Sequence, residues 1–140
     1  MSSSAVRSFT GASAILAMLL TGGTVLADDL AGSEWHPVQL GEHSVADTAN
    51  LFVRFEAEGR VAGHGGCNRF FGSYQITDGR ISIGPLGATR MACPEPDMNL
   101  ETAFFQALEQ VRGFSRDGAS LVFTDEQGNT GAIFRQTDWD

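Results

Sequence analysis

The chain contains no lysine, only two cysteines and a single tyrosine. Each shortage closes off a class of function. Without lysine, no ammonium can reach a phosphate from a glycine-rich loop, and no G-x-G-x-x-G opens a helix. His64-Gly65-Gly66 is therefore not a nucleotide-binding motif. All the positive charge rests on nine arginines set against 17 acids, a formal net charge of −8. Nucleic acid and anionic membrane surfaces repel a polyanion, so neither is expected as a partner. The acids are spread along the chain rather than gathered in a block, which reads as a solubilising surface. His36, His43 and His64 are scattered and unlike a zinc pattern, so no metal and no other cofactor is expected. There is no G-x-S-x-G elbow, and no carboxylate pair stands out, which argues against an enzyme.

The apolar stretch Gly11–Leu20 is about ten residues long, half of the roughly 20 needed to span a bilayer. It follows Arg7 and precedes Val25-Leu26-Ala27. A basic start, a short apolar run and small residues before Asp28-Asp29 form the pattern of a secretory signal peptide over residues 1–27. Residues 28–140 then form one domain, expected to be exported to the periplasm or medium, monomeric and without a stable membrane anchor. Arg7 lies in the leader, so eight arginines oppose 17 acids in that domain, a charge of −9.

Within the domain, turn-formers cut the sequence into short strand-like runs. These are Ser33–Leu40 (with Pro37 at an edge or an interruption), Asn50–Glu56, Arg60–Ala62, Gly72–Thr77, Arg80–Gly84 and Ala88–Ala92. Asp78-Gly79 is the strongest hairpin signal. Residues 63–72 read as a glycine-rich loop with one helical turn at Asn68–Phe71, and with Phe70 and Phe71 folded into the core. Leu100, Phe104, Ala107, Leu108 and Val111 recur at helical spacing, which predicts one amphipathic helix near 97–111, ended by Gly113. Glu95, Asp97 and Glu101 lie toward its N-terminal end, where the helix dipole favours negative charge. Phe114–Arg116, Ser120–Thr124 and Ala132–Gln136 complete the list of strands. The expectation is an α+β domain: an antiparallel β-sheet or cracked β-barrel packed against one main α-helix.

Cys67 and Cys93 are the only cysteines of a small exported domain, for which a structural disulfide is the expected state. Closing the 67–93 loop stabilises by about 3.5 kcal/mol in the chain-entropy picture. Two buried free thiols, or a reactive cysteine assisted by His64, are the competing readings.

Gly65-Gly66-Cys67-Asn68, then Gly72-Ser73-Tyr74, then Thr89-Arg90-Met91-Ala92-Cys93, followed by a helix and a Leu-Val-Phe strand, form an ordered pattern. It resembles the META domain, a family that includes HslJ-like bacterial heat-shock proteins. The match runs from Ala31-Gly32-Ser33-Glu34-Trp35 to Ala132-Ile133-Phe134. The resemblance implies a compact antiparallel sheet or barrel on a helix, an exported or lipid-anchored envelope protein, and no defining enzymatic activity or cofactor. No lipobox cysteine is present here. Gly65, Gly66, Asn68, Gly72, Tyr74 and Thr89 are its structural motif residues. The resemblance suggests a stress-related module that binds an envelope protein. The alternative is a carrier that holds a small apolar ligand in a cleft between sheet and helix.

Overall fold

The computed structural model describes residues 30–137, so the expected leader lies outside the described residues. Ten strands form one antiparallel sheet: β1 Ser33–Leu40, β2 His43–Ser44, β3 Leu51–Glu56, β4 Arg60–Gly65, β5 Arg69–Thr77, β6 Arg80–Ile83, β7 Gly87–Ala88, β8 Gly113–Asp117, β9 Ser120–Thr124 and β10 Thr130–Thr137. The helix α1, Asp97–Gln110, is inserted between β7 and β8.

The expected open sheet or cracked barrel is corrected by one pairing. β1 joins β10 from Glu34↔Thr137 to Leu40↔Ala132, so the strand order β1-β3-β4-β5-β6-β8-β9-β10 returns to β1. The result is a closed eight-stranded barrel, with the two-residue strands β2 and β7 as appendages. The sequence hides this closure because the pairing joins the two ends of the domain. Pro37 belongs to a strand paired on both sides rather than to an edge. The β1–β3 pairing ends at Trp35, and the β1–β10 register shifts between Pro37 and Gln39. A residue with no amide donor is tolerated at such a break.

An eight-stranded barrel is just wide enough for its inward side chains to fill it. Trp35, Val53, Phe55, Phe70, Leu121, Phe123 and Phe134 do so, each almost wholly buried. Helix α1 packs against β1, β4, β6 and β10, strands from opposite sides of the barrel, and so covers one of its ends. Phe104 and Leu108 point inward from it. Phe104 meets Phe70 with 5.7 Å between ring centroids and Phe134 with 6.3 Å, and Phe134 meets Phe123 at 4.9 Å. Such aromatic pairs add to the stabilisation from burial alone.

Four local expectations are corrected. The presumed loop at 63–72 is mostly strand: β4 runs to Gly65 and β5 starts at Arg69, so Asn68–Phe71 forms no helical turn. Ala88–Ala92 yields only the two-residue β7, and the helix ends at Gln110, before Gly113 opens β8. Phe70 and Phe71 are consecutive strand residues and point to opposite faces. Phe70 is buried, whereas Phe71 is 62% exposed on the outside of the barrel.

Candidate functional site

Gly65, Gly66, Asn68 and Thr89 come together where the β4–β5 corner meets α1, whereas Gly72 and Tyr74 lie farther along β5. Gly65 N–H donates to the Asn68 carbonyl at 2.8 Å and closes a tight corner over 65–68. Gly66 takes a φ of +108°, a region that disfavours side chains. A Cβ on Gly65 would fall 2.8 Å from Oε1 of Glu101, so glycine here makes room for that carboxylate. Glu101 is only 4% exposed. Its Oε1 accepts from the backbone N–H of Cys67 at 3.0 Å and of Asn68 at 2.6 Å, and its Oε2 from the Asn68 amide at 2.7 Å.

Asn68 carries the network onward. Its Nδ2 also donates to the Met91 carbonyl at 3.1 Å, while its Oδ1 accepts from the Thr89 hydroxyl at 2.9 Å and the Met91 N–H at 2.6 Å. Both amide protons and both acceptor lone pairs are therefore used, a complete complement for an asparagine. Thr89 Oγ1 accepts in turn from Arg69 N–H at 3.2 Å. Cys67 and Cys93 are bonded to each other, which fastens the same two segments covalently. One polar knot thus ties the β4–β5 corner, the 89–93 segment and the helix.

Glu101 is the member whose role the sequence does not show. Helical position suggested an acid facing the dipole at the N-terminal end, but the carboxylate turns inward as a buried acceptor. The readable signal was Gly65 opposite it, where any added side chain would meet the carboxylate. Tyr74, on β5, is part of the core, with its ring 5.0 Å from Phe55 in an edge contact and its hydroxyl 3.4 Å from the Glu56 carbonyl. Gly72 lies opposite Val61 in the sheet.

None of the histidines joins this knot as a catalytic partner. His64 Nδ1 lies 3.0 Å from Gly66 N and 2.9 Å from the Asn50 carbonyl, contacts that hold the loop. His36 is buried near the Ala46 carbonyl, and His43 is exposed on β2. Among the described residues, no three His, Cys, Asp or Glu side chains are grouped to hold a metal.

An apolar open site lies on the outside of the barrel. A groove of about 360 Å³ runs over β3, β4 and β5, with Phe52, Ala62 and Phe71 among its lining residues, and Arg54 and Arg69 beside them. The ladder fixes its layout. Arg54, Ala62 and Phe71 form one row across the three strands, and Phe52, His64 and Arg69 form the next. The Arg54 guanidinium stands 5.4 Å from the centre of the Phe52 ring and bonds Oε1 of Glu34 through Nε at 3.1 Å and an Nη at 3.0 Å.

Comparison with solved structures returns the same fold. An NMR structure of a protein from Burkholderia xenovorans is 24% identical, covers 89% of this chain and all of its own, and superposes with a TM-score of 0.62. A DUF4847-family protein from Bacteroides vulgatus is 16% identical, with 81% of this chain and 98% of its own covered and a TM-score of 0.58. At these identities the likeness speaks for the fold alone. No protein of curated function matches the chain significantly. The family description of the META domain, however, matches residues 28–138, a span that contains the barrel, the knot and the disulfide, and the chain belongs to the META domain family.

Proposed function

We propose that this is an exported, non-enzymatic META-domain protein that works by binding another protein in the bacterial envelope, in a role tied to envelope or heat stress. The observation that carries the binding reading is the contrast between a filled barrel and an apolar groove on its outer wall. A carrier that held a ligand between sheet and helix would need a cavity of several hundred cubic ångströms. The space between α1 and β9–β10, lined by Ala107, Val111 and Phe123, measures about 30 Å³. The exposed Phe71, by contrast, supports a contact surface on the outer wall. Export is supported by the leader-like composition of residues 1–27 and by a disulfide, which persists in oxidising compartments. With Cys67 bonded to Cys93, no thiolate is available for attack.

The test is a pull-down from periplasmic extract with the mature protein, read by native mass spectrometry, in parallel with Phe71→Ala. A protein retained by the wild type and lost with Phe71→Ala is the expected result. A co-purifying lipid, or retention indifferent to Phe71, would sink the reading. His64→Ala removes two loop contacts but no partner of the cysteines, and should leave the disulfide intact.

A further inference from the structure

The groove's surroundings narrow the chemistry of what docks there, an inference that rests on the protein-binding reading above. On a chain of net charge −8, this face carries three arginines, Arg54, Arg60 and Arg69, in three successive rows of the ladder. Arg60, Ala62 and His64 face outward from β4, and Ser73, Phe71 and Arg69 are their respective partners on β5. Arg60 and Arg69 therefore flank the Ala62–Phe71 row, one on either side along the strands. Arg54 is already paired, with Glu34 at 3.0 Å and Glu56 at 3.9 Å. Among the described residues, Arg60 and Arg69 have no ion-pair partner, although Glu56 faces Arg60 across the ladder. Four residues along the strands and one strand across separate them by about 14 Å.

We propose that this face docks an extended segment of a partner protein with the pattern acid–x–apolar–x–acid. Side chains at i, i+2 and i+4 of an extended chain share one face and span about 14 Å from first to last. The central apolar side chain then sits over Ala62 against Phe71, and the two carboxylates meet Arg60 and Arg69. A single-headed amphiphile fits less well. It could meet only one of the two cations, and the open groove, with Phe71 62% exposed, would leave an acyl chain wet. Charge-assisted bonds at the two ends supply register, while the apolar contact in the middle excludes water.

The experiment titrates the isotope-labelled, oxidised protein with the synthetic peptide acetyl-Gly-Asp-Ser-Leu-Ser-Asp-Gly-amide and follows amide shifts. Shifts confined to Arg60–His64 and Arg69–Ser73 are expected. Kd should rise at least tenfold with Arg60→Glu plus Arg69→Glu, and likewise when both peptide aspartates become asparagine. The peptide change leaves the protein's fold untouched, so it stands even if the double variant misfolds. Equal binding by the asparagine peptide, displacement by dodecanoate, or no binding at millimolar peptide would overturn the proposal. A partner captured from extract that needs Phe71 but not Arg60 or Arg69 would also overturn it, while leaving the protein-binding reading intact.

Discussion

Two carboxylates in this protein do the same chemistry in opposite surroundings. Glu101 accepts two backbone N–H groups on one oxygen and an asparagine amide on the other. Asp125 does likewise, taking Gln127 N–H and Asn129 N–H, each at 2.9 Å, and the Asn129 amide at 3.3 Å. The first set joins residues 33 and 34 positions apart inside the protein. The second joins residues two and four positions apart in an exposed turn. Identical donors thus produce a tertiary knot in one place and a local turn in the other. What differs is whether water stands ready to replace the carboxylate.

The comparison breaks most visibly at Glu101. Glu101→Ala strands buried donors at about 1–3 kcal/mol each, so a loss of roughly 3–5 kcal/mol is expected by urea titration. That is a large share of the roughly 5–15 kcal/mol a small domain has. Glu101→Gln keeps one acceptor but turns an NH₂ group toward another donor, and should fall between wild type and Glu101→Ala. Phe104→Ala, one helical turn away, should also cost about 3–5 kcal/mol, whereas Gln106→Ala should stay within about 0.5 kcal/mol. Equal, small effects at Glu101 and Phe104 would show that the helix is not docked through both. Next, Cys67→Ser and Cys93→Ser should each cost about 2–5 kcal/mol and resemble one another, because either removes the same cross-link. Non-reducing peptide mapping should recover one linked pair.

Asp125 should give the smallest effect, a melting shift of about 2 °C for Asp125→Ala. The backbone bond from Asn129, foremost among several, holds its carboxyl below the ordinary range. A depressed folded value means that the contribution is present above the unfolded carboxylate value and disappears as pH falls through the folded one. The gap between wild type and Asp125→Asn should therefore persist from neutral pH to about pH 4 and close below it. A gap that widened in acid would reverse the sign.

The same divide between local and distant bonding explains what the sequence discloses. Strands flanked by strong turns were legible, as at Asp78-Gly79, where φ values of 55° and 77° match the hairpin signal. The helix was legible too, because its apolar spacing is local. Barrel closure was not, since nothing near Ser33 or Thr137 announces the other. At the site, the motif residues stood out through the META resemblance and the cysteines as the only pair in a small domain, but Glu101 did not stand out. Its role is set by the space that Gly65 leaves more than 30 residues earlier, whereas helical position alone shows only an acid near the N-terminal end of the helix. Phe71 was misassigned because apolar character says nothing about which side of a strand faces in; a one-residue offset decides it.

Barrel closure also bears on when the molecule can form at all. The bonds that close the barrel join Thr137 to Glu34, 103 positions apart, and β10, which makes them, follows every other described strand in the chain. Until β10 emerges, β1 lacks the partner that completes it, so a chain stalled before Thr130 should remain open to protease. Non-local pairing of this kind is slow. If the protein is exported as proposed above, that delay would be a gain: the chain would reach the channel still unfolded and close into a barrel only on the far side, where its cysteines could also oxidise.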